Sequence, residues 1–365
     1  MTEVVYKGRR EYAGIDYFRI AAAVMVIAIH TAPFSVFGRE IDFGLTYCIG
    51  RVAVPFFLMT TGYFVLGPWK LGKCADDKRV IRPLKKTLFL YAAAFVLYLP
   101  VNFYAGGMPK SAGGFLRMLF FDGAFYHLWY FPAVVTGCIL VAAMLKRFPV
   151  HLVVWLAGLL YLIGAGGDSY YGLASRIPAV ESLYDMLFAV SSYTRNGIFY
   201  APVFLVMGML IRAKKESDGR KRKTQERRGR RSRSGGVETK GLLVGLMVSM
   251  ALMLIEGYLT YSFDLQRHNS MYLFLIPVMY FLFRLLLCIP GDAPACTRDI
   301  SMLVYIIHPA VLIGLRGIAG AAGLTAVLVD NALMQFLSVT VVSFMLTAAL
   351  VCLSSRLKKG ANKNE

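Results

Sequence analysis

Residues 18–34 read FRIAAAVMVIAIHTAPF, an apolar run with Arg19 near one end and His30 near the other. About 20 mostly apolar residues suffice for a helix to cross a bilayer. An ionisable group inside such a helix is costly, and by default it marks function. This one stretch therefore bears on both the fold and the chemistry.

The spacing of the two residues has a geometric consequence. At about 100° per residue, eleven residues come within roughly 20° of three full turns, so Arg19 and His30 project from one helix face about 16 Å apart. Asp16 precedes Arg19 by three residues and can pair with it, which lowers the cost of an arginine near the membrane edge.

The rest of the chain repeats the apolar pattern. Of 365 residues, 57% are hydrophobic and the mean hydropathy is +0.58. Ten apolar blocks are legible, at 16–36, 44–66, 87–104, 127–145, 149–165, 196–212, 241–262, 271–289, 300–317 and 333–354. The expected fold class is all-α, a polytopic transmembrane helix bundle of about ten spans. The lipid bilayer is its first partner.

Charge sets the expected orientation. With the N-terminus inside, the cytoplasmic side receives Lys7–Arg10, the basic residues from Lys70 to Lys86, Lys146, Arg147, the run from Arg212 to Lys240, Lys358 and Lys359. The outer loops hold Arg39, Lys110, Arg117, Arg176, Arg195, Arg267 and Arg316, the asymmetry of the positive-inside rule. Both termini are expected in the cytoplasm, and the location is the bacterial plasma membrane. The first block is too long and too polar for a cleaved signal peptide.

The net charge of +19 does not imply nucleic acid. Nine of those charges come from residues 212–240, a basic cytoplasmic loop expected to be disordered and to lie against anionic lipid. Six cysteines are scattered without C-x-x-C spacing, so neither a disulfide framework nor a metal site is indicated. No Gly-rich phosphate loop, Rossmann fingerprint or H-E-x-x-H helix occurs. Outside the blocks lie an amphipathic stretch at 113–123 and an outer loop from Gly166 to Arg195 that could act as a lid.

Further polar groups lie at the depth of His30. Arg51 enters the second span in GRVAVPFFLMTTGYF, with Pro55 able to kink the helix behind it. His127 and Trp129 open the fourth span, and Arg195 and Asn196 open the sixth. Glu256 is about six residues from the outer end of the seventh, and His308 lies nearer mid-membrane, two turns from Ser301. Together they outline one outer-leaflet pocket with His30 beside Arg51. His151 and His268 sit at loop edges and are given no role.

Arg19 and His30, then Arg51 in RVAVPFFLMTTGYF, HLWYF, RNGIFYAPVFLVMG and SMLVYIIHPAV resemble the acyltransferase-3 family of membrane acyltransferases over nearly the whole chain. The resemblance implies residues 1–357 as the transmembrane domain, with 358–365 a short cytoplasmic tail. It also implies transfer of an acyl group, often acetyl, from cytoplasmic acyl-CoA to a hydroxyl of a cell-surface glycan or a small acceptor. In that reading His30 is the catalytic base, Arg51 stands at the reaction centre and Arg19 serves the donor. Acyl-CoA is a co-substrate, and no cofactor is bound. The chemistry asks for such groups independently, because a hydroxyl needs a base and a thioester oxyanion needs a cation.

GIDYFRIAAAVMVIAIHTAPF and RVAVPFFLMTTGYFVLG are similar, more narrowly, to the membrane half of the serine racemases of vancomycin-resistant bacteria, which is thought to help import L-serine. The racemase domain of those proteins would begin near where this sequence stops, so racemase activity is not expected from it. The alternative function is an L-serine-handling membrane module, in which Arg51 binds a carboxylate and Glu256 couples a proton.

Overall fold

A computed structural model describes residues 12–72, 76–227 and 235–361. Lys7–Arg10, Cys74, residues 228–234 of the basic loop and residues 362–365 of the tail lie outside the described residues. The described residues are helical or irregular, with no strand among them. The main helices are α1 (Ala13–Thr31), α2 (Arg39–Leu71), α3 (Lys78–Tyr104), α4 (Tyr130–Arg147), α5 (Val150–Gly166), α6 (Pro178–Val190), α7 (Ala201–Arg227), α8 (Gly235–Ser262), α9 (Leu275–Leu286), α10 (Cys296–Ala322) and α11 (Ala332–Ala361).

Each of the ten apolar blocks falls on one of these helices. Among the described residues seven helices, α1, α2, α3, α4, α8, α10 and α11, are long and apolar enough to cross a membrane. The other three blocks form the 17-residue α5, the 12-residue α9 and the apolar start of α7. The outer surface is apolar as well: Trp155, Phe89, Met247 and Met345 are exposed. Bulky apolar groups on the outside match a lipid solvent, which carries no penalty for them.

With lipid on the outside, helix packing depends on close approach rather than on a hydrophobic gradient. Gly62 of α2 and Gly208 of α7 show how such an approach is made. A Cβ at Gly62 would strike the backbone of Leu205, and one at Gly208 would strike the backbone of Met59. The two glycines let the backbones touch reciprocally. Around this contact Phe56, Tyr63, Trp69, Phe204 and Phe283 fill the centre of the bundle. A smaller cluster of Ala23, Ile27, Val304, Leu312 and Val339 joins α1, α10 and α11.

α2 is irregular where the site needs it. It runs as π-helix over Phe43–Cys48, as 3-10 helix over Ile49–Val52 and as α-helix over Ala53–Thr61, with a second π-helical stretch at Gly62–Leu66. Pro55 explains the change, since a proline cannot bond the carbonyl four residues back and crowds it. That carbonyl belongs to Arg51.

Two expected loops prove to be helical. α7 continues without a break to Arg227, and α8 begins at Gly235. Residues 213–227 therefore extend a helix already nucleated in the bundle, so the cost of starting one is not repeated. Glu216 supports the extension through Arg212 Nε at 2.7 Å, one turn before it. Disorder is corrected for these described parts of the 212–240 segment. The tail's residues 358–361 likewise continue α11. Between Gly166 and Arg195, a short helix at Tyr171–Ala174 and α6 replace the expected open loop.

Candidate active site

Three histidines from distant parts of the chain meet. His30 lies in the last turn of α1, which ends because Ala32 adopts a left-handed conformation (φ 47°) and Pro33 follows. His308 lies in α10 just before Pro309, which cannot donate to the Tyr305 carbonyl. Into the opened ladder α3 inserts the Tyr98 hydroxyl, which donates to the Ile306 carbonyl at 2.6 Å and accepts from the Ala310 amide at 3.2 Å. His127 sits in the turn before α4. The Tyr305 hydroxyl bonds the His127 carbonyl, and Asn102 donates to the Ala124 carbonyl at 2.6 Å. Gly123 opens the same turn at φ 81°, where a side chain would strike the backbone of Trp129.

The rings of His30 and His308 stack with centroids 5.4 Å apart, and His127 meets His308 edge-on at 5.3 Å. Tyr126 closes over His30 at 4.7 Å, and Tyr98 over His127 at 5.1 Å. The proton on His308 can be placed. Its Nδ1 is 3.0 Å from the Val304 carbonyl, which can only accept, so Nδ1 carries the hydrogen and, in the neutral ring, Nε2 presents a lone pair. That Nε2 is buried without a partner, and neither ring nitrogen of His127 has one within normal geometry.

Beside the histidines lies a pair of arginines, both close enough to act on His30 through space. Arg51 donates to the Asn269 side chain and lies 5.5 Å from the centre of the Tyr47 ring. Arg195 donates to Ser270 Oγ at 3.2 Å and packs over Tyr193 at 4.3 Å and Trp129 at 5.4 Å. Asn269 and Ser270 are consecutive, so one loop draws the two guanidinium groups together. Asp168 fixes that loop, its Oδ1 accepting from the amides of Ser270 at 2.6 Å and Met271 at 3.0 Å. His268, in the same loop and 4.6 Å from Tyr193, is pushed down to about 4 by burial, with the charges of Arg195, Arg267 and Arg51 adding to the shift and that of Asp168 opposing it.

Arg19 and Asp16 occupy the opposite end of α1. They pair at 3.3 Å as expected, and Arg298 of α10 joins them, bonding both Asp16 oxygens at 2.9 and 2.6 Å. An aromatic wall connects this end to the histidines: Tyr130, within electrostatic range of Arg19, packs on Tyr305 at 5.6 Å, and Tyr305 packs on His127 at 5.5 Å.

The outlined pocket is thus assembled only in part. His30, His127, His308, Arg51, Arg195 and Trp129 form one neighbourhood. Arg51 has no hydrogen bond to His30, whose ring neighbours are His308 and Tyr126. Glu256 serves the backbone instead: it accepts from Leu273 N at 2.5 Å, from Phe274 N at 2.9 Å and from the Tyr170 hydroxyl, which fixes the start of α9. Asn196 accepts from the amides of Ile198 and Phe199 ahead of α7. Ser301 is turned to its own helix, donating to the Arg298 carbonyl at 3.1 Å. Sequence reasoning missed Asp168, Asn269, Arg298 and Tyr98. Asp168, a lone acid in GAGGDS at the edge of an apolar block, was the one with a visible signal.

The fold and this buried polar neighbourhood define a multi-pass helical membrane protein with a candidate catalytic centre. The acyltransferase-3 model, an acyltransferase domain, matches residues 12–354, and the chain belongs to that family. Among known proteins it is 36% identical over 355 residues to an amino-acid racemase of Enterococcus faecalis, an alignment covering 96% of this chain and 47% of that protein. It is 36% identical over 349 residues to a serine/alanine racemase of Enterococcus gallinarum, covering 94% and 46%. The chain spans about half the length of the curated relatives it matches. No solved structure matches it.

Proposed function

We propose that the protein is a membrane O-acyltransferase that moves an acyl group, in the first instance acetyl, from acyl-CoA to a hydroxyl of a cell-envelope acceptor. The observation that carries this reading is the stacked His30–His308 pair, one ring locked in a tautomer with a basic nitrogen and no partner for it. His30 takes the acceptor's proton as its oxygen attacks the thioester carbonyl. The tetrahedral oxyanion develops beside the positive field of Arg51 and Arg195. When the C–S bond breaks, the coenzyme A thiolate recovers the proton from the imidazolium, and the ester is left on the acceptor. Arg19 and Arg298, two guanidinium groups around one carboxylate, form the electropositive end toward which the donor's phosphates are drawn. That end faces the cytoplasm in the orientation set by the basic loops, with both termini inside and the protein in the bacterial plasma membrane.

The test uses detergent-purified protein, labelled acetyl-CoA and a panel of hydroxyl compounds that includes envelope glycan and L-serine. Wild type transfers label, and His30→Ala loses transfer by roughly 100-fold or more while still binding acetyl-CoA in calorimetry. Absence of thioester binding by well-folded wild type overturns the reading.

A second reading is favoured by one observation, the near-complete coverage of this chain by proteins named amino-acid and serine/alanine racemases. In it the bundle handles L-serine for a racemase. Labelled L-serine uptake into proteoliposomes without acyl-CoA, lost in Arg51→Ala, supports it over acyl transfer.

A further inference from the structure

Buried like charges repel, and in a low-dielectric setting the repulsion is paid in stability unless an opposite charge completes the site. Arg51 and Arg195, half-buried with their Nε atoms shut off from solvent, stand in this position. Each lies within electrostatic range of the other, and each has a buried Nε without a hydrogen-bond partner. Among the described residues, neither guanidinium reaches a carboxylate within ion-pair distance. Their direct partners are neutral: the Asn269 amide, the Ser270 hydroxyl and the rings of Tyr47, Tyr193 and Trp129.

The neighbouring acids do not close the balance. Asp168 acts on Arg195 through space, but its Oδ1 is taken by the Ser270 and Met271 amides and by the Ser169 hydroxyl at 3.0 Å. Glu256 is committed to the start of α9. Both guanidinium groups act on His30 through space, and neither is joined to a carboxylate by an ion pair among the described residues.

We propose that Arg51 and Arg195 form a subsite for a singly charged oxyanion borne by the hydroxyl acceptor, so that its anionic group is held by the guanidinium pair while its hydroxyl reaches His30 and His308. This rests on the acyl-transfer reading and narrows its acceptor to an anionic hydroxyl compound. A guanidinium suits the two oxygens of a carboxylate or of a phosphodiester alike. The first is the group of a small hydroxy acid, the second that of a phosphate-linked envelope polymer. Asn269 and Ser270 position the pair and do not themselves carry charge.

The experiment is equilibrium binding to detergent-purified wild type, without acyl-CoA, of three probes. They are L-lactate (carboxylate), glycerophosphoglycerol (phosphodiester) and the uncharged lactate analogue 1,2-propanediol. The expected result is that at least one anion binds roughly tenfold or more tighter than the neutral diol. The anion that binds identifies the source. Arg51→Gln and Arg195→Gln lose that preference, and Arg195→Lys keeps part of it. A second readout is the titration of His268 by NMR of histidine-labelled protein, whose midpoint rises when the anion offsets the nearby positive field. Equal binding of diol and anions, no binding of either anion by folded protein, or an unchanged preference in Gln variants that melt like wild type overturns the subsite. Should those variants fail to fold, the wild-type comparison decides alone. Anion binding that persists where no acyl transfer is found sinks the transfer reading and leaves the subsite standing.

Discussion

His127 and Glu256 both lie near the end of an apolar block, at 1% and 7% exposure. Neither His127 ring nitrogen has a partner within normal geometry, whereas the Glu256 carboxylate has three. Burial is common to both, so burial alone says little about role. Satisfaction separates them. A buried polar group that holds backbone amides stabilises the fold, and one left without partners is costly unless a substrate completes it. The same contrast divides the Nε2 of His308 from Asn196, and the Nε atoms of the arginine pair from the Asp16 carboxylate.

The largest effect that can break this comparison is on chemistry. His308→Gln removes the basic Nε2 stacked beside the base His30 and is expected to lower acyl transfer by roughly tenfold or more, less than loss of His30 itself, with a melting temperature in detergent close to that of wild type. A large loss of thermal stability with transfer per folded molecule intact would place His308 with Glu256 instead.

The converse substitution reads on stability. Glu256→Ala strands the amides of Leu273 and Phe274, at about 1–3 kcal/mol for each buried donor left unpaired. The melting temperature should fall clearly, while transfer per folded molecule stays near wild type. Normal melting with abolished transfer would move Glu256 into the chemistry and favour a proton-coupled module.

The smallest effect is a pH dependence in the loop that joins the two kinds of region. Burial holds His268 at about 4 in the folded protein, below its value of about 6.5 in the unfolded chain. The folded state binds fewer protons between these values, so its contribution is fully present above about pH 6.5 and is lost as pH falls toward 4. His268→Asn should flatten the decline in melting temperature over that interval. An unchanged slope would show that the loop opens before His268 titrates.

Much of the fold was legible because it depends on local properties. Apolar length and helix period marked ten of the eleven main helices, all but α6, and the Asp16–Arg19 pair followed from a three-residue spacing. The irregular turn at Arg51 was foreshadowed by Pro55. The helical extension beyond Arg212 was missed because its composition resembles a disordered tail, and the fact that the bundle nucleates it lies outside that window. The site was legible as a set of residues and not as a set of contacts. His30, His127 and His308 were read as polar groups at similar depth, but their stacking was not visible. Nor was the commitment of Glu256, Asn196 and Ser301 to the backbone.

The sequence by itself determined that this is a helical membrane protein, where its apolar helices fall, and that Arg19 and His30 share a helix face. Apolar content and periodicity are properties of a window of about 20 residues, so no distant residue is needed to read them. Only the tertiary structure decided which buried polar groups are satisfied. The Tyr305 hydroxyl finds the His127 carbonyl across 178 residues, Arg51 finds Asn269 across 218, and Glu256 finds Tyr170 across 86. Hydrogen-bond satisfaction depends on which loops meet, and that is settled when the helices pack.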